Sequence, residues 1–218
     1  MQVKMSFNNS VILCAGRGER MKPVTDYIPK CLVEIEGKRL IDHVLNMIGN
    51  AQKYITYGYK SDLLFNSTQS LVNGYINTTG KGNSYFLYNS FIKYLNEPII
   101  VSPCDMVIDI DLTKVYEDYL NLHSPAIMIV ATSPVQGVAG DFIKHDNSNI
   151  ITILNRKNAT NKYCSGLQII NPYKVNQITK KTDNFYQVWE QLIGTSGLKV
   201  SNVLPTKWNS YDDIKSII

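Results

Sequence analysis

Residues 13–32 read LCAGRGERMKPVTDYIPKCL and carry most of what the sequence indicates about this chain. They overlap the apolar run Val11–Ala15, which is typical of a strand buried in a parallel sheet. Gly16 ends that run, and Gly18 follows two positions later. Because glycine tolerates positive φ and has no Cβ, the backbone N–H groups of such a loop can converge on an anionic oxygen. The stretch therefore predicts a strand that leads into a phosphate-binding loop.

Two cations lie in the same stretch. Arg20 offers a forked, permanently charged set of donors and Lys30 a movable point charge, a combination that suits a polyphosphate. Pro23 and Pro29 restrict φ between them, which lowers the entropy lost when the loop is ordered. An ordinary glycine turn followed by a solvated basic loop is the alternative interpretation of these residues.

The stretch also fits a longer pattern, G-x-G-x-R-(L/M)-x-P-(L/M)-T-x-x-x-P-K. The matching residues are Gly16, Gly18, Arg20, Pro23, Thr25, Pro29 and Lys30. This string resembles the signature of the nucleotidyltransferases that make nucleotide sugars, the sugar-1-phosphate nucleotidylyltransferases and their phosphocholine cytidylyltransferase relatives. Neither the dinucleotide-binding G-x-G-x-x-G nor the P-loop G-K-(S/T) is present. The resemblance implies catalytic roles for Arg20 and Lys30 and nucleotide contacts from Leu13, Ala15, Gly16, Arg17 and Gly18.

The composition is that of an ordinary globular protein, with 44% hydrophobic and 18% charged residues in 218. The net charge is +4 without any run of like charges, which argues against a nucleic-acid or membrane partner. The four cysteines form no C-x-x-C pair and no metal-ligand spacing, so free thiols are expected. No signal peptide or membrane-spanning apolar run is evident, and a cytoplasmic location is expected. The sequence does not determine the oligomeric state.

Helical and strand patterns alternate through the first half of the chain. Apolar residues at helical spacing predict a helix over 39–49, and short apolar runs predict strands over 53–57, 75–78 and 98–102. This alternation predicts an α/β fold with a Rossmann-like, mostly parallel sheet flanked by helices and a ligand site at the carboxyl ends of its strands. Residues 1–218 are expected to form a single nucleotidyltransferase domain.

Two halves are expected within that domain, a nucleotide-binding half over about 1–122 and a smaller, β-rich acceptor-binding half over about 123–218. The second half contains β-branched segments separated by turns, which predict strands that fold over the open site. These segments are 126–132, 140–144, 149–153 and 163–170.

A second glycine-rich stretch, Gly80-Lys81-Gly82-Asn83, precedes a predicted helix that carries Phe86, Leu87, Phe91 and Leu95. It resembles the base-recognition loop of sugar-1-phosphate enzymes, which implies nucleotide contacts from Gly80, Gly82 and Asn83. The segment that begins at Asn83 can also be compared, less closely, with the helix start of phosphocholine-type cytidylyltransferases. The identity of the base therefore stays open.

Asp105 follows the fourth predicted strand, where its carboxylate can face the same crevice as the phosphate loop. Hard oxygen ligands in that place suit Mg²⁺, which takes one or two carboxylates and completes its shell with water and phosphates. The resemblance implies a metal ligand here, although Cys104 replaces the usual glycine before it. Asp111 precedes the amphipathic segment 112–122 and is expected to be its N-cap, while Asp109 is undecided.

The second half contains two further points of resemblance. Lys157 occupies the place of the lysine in the family's E-K-P motif, which implies a catalytic role through contact with the acceptor phosphate, and Arg156 is the rival assignment. A solvated surface charge is the alternative interpretation of Lys157. The segment Tyr163–Leu167 resembles a strand whose backbone approaches the sugar, and this implies acceptor contact at Gly166. A glycine inside a strand is explained by close ligand approach or by a bulge.

The sequence departs from the family pattern near its end. Where many relatives have a second metal-binding aspartate, the best alignment places Asn209, a neutral and weaker oxygen ligand. Asp212 could substitute only if the backbone shifted. Ser210 and Asp213 predict a capping box for a terminal helix over 211–217.

The resemblance implies in-line attack of an acceptor phosphate oxygen on the α-phosphorus of an NTP, with Mg²⁺ as cofactor and pyrophosphate as leaving group. The favoured acceptor is a sugar 1-phosphate, which would give an NDP-sugar. One alternative is a cytidylyltransferase that acts on phosphocholine or a similar non-sugar metabolite. The other is a nucleotide-binding protein of the same fold without catalysis, an alternative motivated by Asn209 and Cys104.

Overall fold

The computed structural model of the chain describes residues 6–216. The strands are β1 (Asn9–Leu13), β2 (Glu34–Ile35), β3 (Lys38–Arg39), β4 (Gln52–Tyr57), β5 (Gly74–Asn77), β6 (Ile99–Pro103), β7 (Met106–Asp109), β8 (Ile127–Thr132), β9 (Phe142–His145), β10 (Ile151–Asn155), β11 (Tyr163–Ile170), β12 (Leu198–Val200) and β13 (Lys207–Ser210). The helices are α1 (Leu40–Ile48), α2 (Ser61–Thr68), α3 (Tyr85–Asn89), α4 (Leu112–Asn121), α5 (Pro172–Ile178) and α6 (Phe185–Leu192).

Within residues 6–216, the main sheet has nine strands, and the strand order along its path is β10-β9-β11-β6-β1-β4-β5. The strands β6, β1, β4 and β5 are parallel to one another, as the alternating pattern predicts. Strand β11 lies antiparallel to β6 and also pairs with β8, which in turn pairs with β12. The predicted α/β fold is confirmed, and strands β8 to β12 extend the same sheet.

The strand register places the loops that follow β1, β4 and β6 next to one another. Leu13, at the end of β1, pairs with Thr56 of β4 on one side and with Pro103 of β6 on the other. The carboxyl ends of these three strands therefore lie side by side, so the loops that follow them open at one edge. This edge of the sheet brings the glycine loop after β1 next to Asp105.

Side chains of β1 alternate between two buried layers, because successive residues of a strand point to opposite faces. Val11 packs in a cluster with residues of α3, α5 and α6, whereas Ile12 packs in a cluster with residues of α1, α2 and α4. Helices thus cover both faces of the sheet, which is why the central strands are apolar without alternation.

A small two-stranded sheet places the C-terminal segment beside the loop that follows β6. Strand β13 pairs antiparallel with β7, and Trp208 lies opposite Ile108. Just after β13, the Tyr211 N–H donates to the Asp105 carbonyl oxygen at 2.8 Å. The C-terminal segment is therefore fixed beside the loop that carries Asp105.

Some predicted elements differ from the structure. The helix after Asn83 ends at Asn89, because Ser90 adopts an extended conformation and begins a separate 3-10 turn, Phe91–Tyr94. Helix α6 was not predicted, although Phe185, Val188, Trp189 and Leu192 are buried along it at helical spacing. The N-cap role of Asp111 is confirmed, since its side chain accepts from the Thr113 and Lys114 N–H groups.

The predicted terminal helix over 211–217 is wrong in its described part. Ser210 belongs to β13, and only a 3-10 turn, Ile214–Ser216, follows it, where the Asp213 carboxylate accepts from the Lys215 N–H. Residue 217 lies outside the described residues. The carboxylate of Asp213 therefore caps a short turn, and the expected capping box does not form.

Two sequence expectations concern the chain as a whole. In the part of the chain that the structure describes, no helix has the length and apolarity needed to cross a membrane. All four cysteines are free thiols, as predicted.

Candidate active site

The glycine loop after β1 has a defined shape. Gly18 adopts a left-handed conformation with φ +63°, and its carbonyl oxygen accepts from the Met21 N–H at 2.8 Å and from the Thr25 hydroxyl at 2.9 Å. A Cβ on Gly18 would lie 3.0 Å from Thr25 Cγ2 and 3.1 Å from Lys30 Cβ. A Cβ on Gly16 would meet nothing within 4 Å. Backbone conformation and packing thus explain why position 18 requires glycine. Packing within the protein does not explain why position 16 is a glycine.

A cavity of about 350 Å³ opens beside this loop. Its lining contains six residues for which nucleotide contact was predicted: Leu13, Ala15, Gly16, Gly80, Gly82 and Asn83. Thr56, Thr78, Lys81 and Pro103, for which no role was predicted, complete the lining. Arg17 is instead exposed, with its guanidinium carbon 5.8 Å from the centroid of the Tyr59 ring. The two glycine-rich stretches, which are far apart in sequence, therefore face one cavity.

Contacts with the residues before α6 hold the second glycine loop. The Gly82 N–H donates to the Asp183 carboxylate at 3.2 Å, and the Ser84 N–H donates to the Asp183 carbonyl at 3.0 Å. A Cβ on Gly82 would lie 2.0 Å from that carbonyl oxygen, so only glycine fits. The Asn83 amide oxygen accepts from the Phe185 N–H at 3.0 Å.

A charge cluster lies at the same edge of the sheet. Lys30 is buried, with 7% of its surface exposed, and its Nζ lies 2.5 Å from both Asp105 Oδ2 and Asp212 Oδ1. Arg20 donates to the other oxygen of Asp212. Because a buried ammonium is costly without a counter-charge, the two carboxylates stabilise Lys30 in this position. The geometry thus joins Arg20, Lys30 and Asp105, as the sequence predicts, and adds Asp212.

Asn209 occupies a different position from Asp212. It lies on β13 opposite Val107, and its amide oxygen accepts from the Ser210 N–H at 3.1 Å. It lines a cavity of about 620 Å³ that Arg20 and Asp212 also line. The Asp212 carboxylate contacts the Lys30 ammonium, whereas the Asn209 side chain does not. The sequence indicated this possibility only by having an aspartate three positions after Asn209.

A second charged cluster lies where the loops beside β9 and β10 meet α6. Arg156 Nε lies 3.6 Å from Asp141 Oδ1, and the Tyr186 hydroxyl donates to Asp141 Oδ2 at 2.7 Å. Asp141 Oδ1 is buried and makes no hydrogen bond with any described residue. The phenol oxygen of Tyr186, once ionised at high pH, and the Asp141 carboxylate raise the pKa of Arg156. Lys157 is exposed, and its backbone N–H donates to the Asn155 side chain at 2.9 Å.

Gly166, in β11, packs against the end of β6. Its φ is +93°, and a Cβ there would lie 2.8 Å from Pro103 Cγ at the end of β6. The register of β11 against β8 shifts between Cys164 and Gln168, so a bulge surrounds Gly166. Of the two explanations for this glycine, the bulge is present in the structure.

Three buried cysteines lie beneath the site. Cys14, Cys31 and Cys104 are 1–6% exposed, and each is adjacent in sequence to a site residue. Hydrogen bonds from the Cys104 and Cys14 thiols favour the thiolate of Cys31 and lower its pKa, whereas burial raises the pKa of Cys14. Their spacing gave no indication of this cluster, because the tertiary fold alone brings them together.

Solved structures place this fold in a known class. The chain superposes on the inositol-1-phosphate CTP transferase from T. maritima with a TM-score of 0.73 at 17% identity, over 98% of this chain and 92% of that one. It superposes on a UDP-glucose pyrophosphorylase complexed with UDP-glucose with a TM-score of 0.71 at 17% identity, over 97% and 96% of the two chains. The fold is that of the nucleotide-sugar transferases.

Sequence comparison identifies the family. The profile of the MobA-like NTP transferase domain matches residues 10–137, more than half of the chain, and the chain belongs to that family. It is 30% identical over 111 residues to the CTP:phosphoglutamine cytidylyltransferase of Campylobacter jejuni, a match that covers 45% of this chain and 44% of that protein. It is 26% identical over 171 residues to the bifunctional protein GlmU of Streptococcus pyogenes, over 75% of this chain and 36% of GlmU. The chain thus spans less than half the length of these two curated relatives.

The two loop glycines allow a paired test of the phosphate-binding loop. We expect Gly18→Ala to lower both the melting temperature and NTP affinity, because its Cβ meets Thr25 and Lys30 at positive φ. We expect Gly16→Ala to keep the melting temperature and still weaken NTP binding by tenfold or more, because the added methyl obstructs only a ligand. Thermal unfolding and calorimetric titration with each NTP measure both effects. Full NTP affinity in Gly16→Ala would contradict a close approach of phosphate to this loop.

Proposed function

We propose that this protein is a nucleotidyltransferase that transfers NMP from an NTP to a phosphorylated small metabolite and releases pyrophosphate. The observation that carries the proposal is the cluster of Arg20, Lys30, Asp105 and Asp212 beside the glycine loop. It combines cations that can neutralise a triphosphate with carboxylates that can hold a divalent metal ion. Membership of the MobA-like NTP transferase family supports the same reaction class.

The reaction brings two anions together, so most of the barrier is electrostatic. Arg20 and Lys30 would bind the triphosphate and neutralise charge as the bond to pyrophosphate breaks. An acceptor phosphate oxygen would attack the α-phosphorus in line. That oxygen is already ionised at neutral pH, so the reaction requires no general base. The protein's contribution is alignment and charge stabilisation.

Asp105 and Asp212 are the residues that we propose to hold Mg²⁺. Both offer hard carboxylate oxygens, and both lie on the same Lys30 ammonium, so their two oxygens are close to one another. Among the described residues, no group of three or more His, Cys, Asp or Glu side chains is arranged to hold a metal ion. A pair of carboxylates still fits Mg²⁺, which commonly completes its shell with water and substrate phosphates. When bound, Mg²⁺ would neutralise charge on the phosphates.

Asp212 also bears on the alternative of a nucleotide-binding protein without catalysis. That alternative is motivated by Asn209, a neutral residue in place of the expected second aspartate, and by Cys104 in place of the usual glycine before Asp105. A second carboxylate at Asp212, in contact with both Lys30 and Arg20, weighs against the part of the argument that rests on Asn209. We therefore favour an active enzyme.

The acceptor that we propose is a sugar 1-phosphate. The UDP-glucose complex among the solved structures of the same fold supports this choice. The second candidate is a phosphorylated non-sugar metabolite with CTP as donor, which the similarity to a CTP:phosphoglutamine cytidylyltransferase favours. In both cases Lys157 is the residue proposed to contact the acceptor phosphate.

Pyrophosphate release tests the proposed activity. The protein is incubated with Mg²⁺, each of ATP, GTP, CTP, UTP and dTTP, and a panel of sugar 1-phosphates, phosphocholine and other phosphorylated metabolites. We expect release with one pair, and at least a hundredfold loss in Lys30→Met, because one charged contact to the transition state is worth about 2–4 kcal/mol. Lys22→Met, an exposed cation of the same loop, is the matched control and should keep its activity. If Lys30→Met were as active as the unchanged protein, the proposed role of the cluster would be wrong.

Three variants distinguish between the candidate metal ligands. We expect Asp212→Asn to raise the Mg²⁺ concentration for half-maximal activity by tenfold or more, since an amide binds Mg²⁺ more weakly than a carboxylate. Asn209→Ala and the neighbouring Asp213→Asn should change it by less than threefold. The measurement is a Mg²⁺ titration of the initial rate at saturating substrates. If Asn209→Ala raised the required Mg²⁺ concentration more than Asp212→Asn did, Asn209 would be the metal ligand and Asp212 would not.

The acceptor contact is tested at Lys157 and Arg156. We expect Lys157→Ala to raise the KM for the acceptor by about tenfold and to leave the KM for the NTP unchanged, since the charge contacts only the acceptor phosphate. Arg156→Ala should instead lower the melting temperature, because it leaves the buried Asp141 carboxylate without its cation. If Arg156→Ala raised the acceptor KM and Lys157→Ala did not, the phosphate contact would belong to Arg156.

A further inference from the structure

A groove of about 630 Å³ lies on the other edge of the sheet from the nucleotide cavity. It is formed by the turn after α4, by α5, by the end of α6 and by the residues that lead into β12. Strand β8 begins there, at Ile127, which pairs with Ile170 of β11. Ile170 in turn pairs with Ile99, the first residue of β6, whereas the nucleotide cavity borders Pro103, the last residue of that strand. The length of a strand separates the two sites.

Lys199 is the unusual residue of this groove. Only 8% of its surface is exposed, and its Nζ makes no hydrogen bond or ion pair with any residue in the range 6–216. Its stem is buried, but Nζ is not a fully buried atom, so the ammonium keeps contact with solvent at the groove. The lining of the groove includes Lys199, so an anion bound in the groove can reach it.

The rest of the lining is suited to the same kind of ligand. Lys174 also lines the groove, with its Nζ 2.6 Å from the Ser124 carbonyl oxygen, and His123 is an exposed neighbour. Among the described residues, no Asp or Glu contributes to the lining. A site with two ammonium groups and no carboxylate attracts anions.

Apolar side chains form the other part of the groove. Leu122, Pro125, Tyr173, Ile178 and Leu192 line it beside the two lysines. Tyr173 and Ile178 are 42% and 53% exposed, respectively, so apolar surface is open to a ligand. The volume lies within the range of sites that bind small molecules, which combine an apolar lining with a few polar groups that fix orientation.

We propose that this groove is a second ligand site, which binds a small organic anion that joins a phosphate or carboxylate head to an apolar body. The head would pair with Lys199 and Lys174, and the body would cover Tyr173 and Ile178. The site is separate from the nucleotide cavity and does not depend on the reaction proposed there.

The experiment uses phenyl phosphate and benzoate as probes that share an aromatic body but differ in the anionic head. Binding is followed by backbone NMR shifts of Thr195, Ser196, Gly197 and Lys199 in the full chain. We expect at least one probe to bind with a Kd of about 1 mM or tighter, and phenol and inorganic phosphate to bind at least tenfold more weakly. Phenol tests the need for the anionic head, and inorganic phosphate tests the need for the apolar body.

Variants assign the binding to the groove. Lys199→Met keeps the length of the buried stem and removes the charge, and it should weaken binding of the probe by at least tenfold. Lys174→Met gives a second measurement if the first variant does not fold, and the same loss is expected. Lys180→Met, at an exposed position just after α5, is the matched control and should bind normally. The variant Lys30→Met should also bind normally, since its change lies in the other site.

Three results would overturn the proposal. The first is no shift at the groove residues with either probe at about tenfold the expected Kd. The second is unchanged binding in both Lys199→Met and Lys174→Met. The third is binding that disappears in Lys30→Met or on saturation with NTP, which would place the probe in the nucleotide site.

Discussion

The Lys30 ammonium is the point at which three distant parts of the chain meet. Its Nζ lies 2.5 Å from both Asp105, after β6, and Asp212, after β13, while its own backbone belongs to the loop after β1. A buried cation requires counter-charges nearby, and this requirement fixes the loop, the strand end and the C-terminal segment in one arrangement. The glycine loop, the β7–β13 sheet and Arg20 are all positioned around this pair of contacts.

The surroundings of the cluster support it from below. Cys14, Cys31 and Cys104 belong to one buried cluster, together with Ile12 of β1 and Met106 of β7. Small, polarizable side chains of this kind fill irregular space in a core. The family's usual glycine before Asp105 is replaced here by one member of this cluster, so the departure has a packing role in the structure.

Charge is distributed differently on the two sides of the sheet edge. Around Lys30, cations and carboxylates are in direct contact. Near β9 and β10, Asp141 lies between Arg156 and Tyr186, with one buried carboxylate oxygen left without a hydrogen-bond partner among the described residues. Such an oxygen is costly to bury, and the nearby Arg156 guanidinium offsets part of that cost.

The sequence by itself determined the fold class, the glycine loop after β1 and six of the ten residues that line the cavity beside that loop. These features depend on local pattern: apolar runs, helical spacing, and glycines placed before two cations. The pairing of Asp212 with Lys30, the cysteine cluster, the capping of α6 by the loop at Asn83 and the unpaired Lys199 were decided only by the tertiary structure. Asp105 and Asp212 are 75 and 182 positions away from Lys30 in the sequence. A local sequence pattern therefore does not indicate which distant carboxylates contact the buried Lys30 ammonium. The strand register and the burial of Lys30 determine which carboxylates contact it.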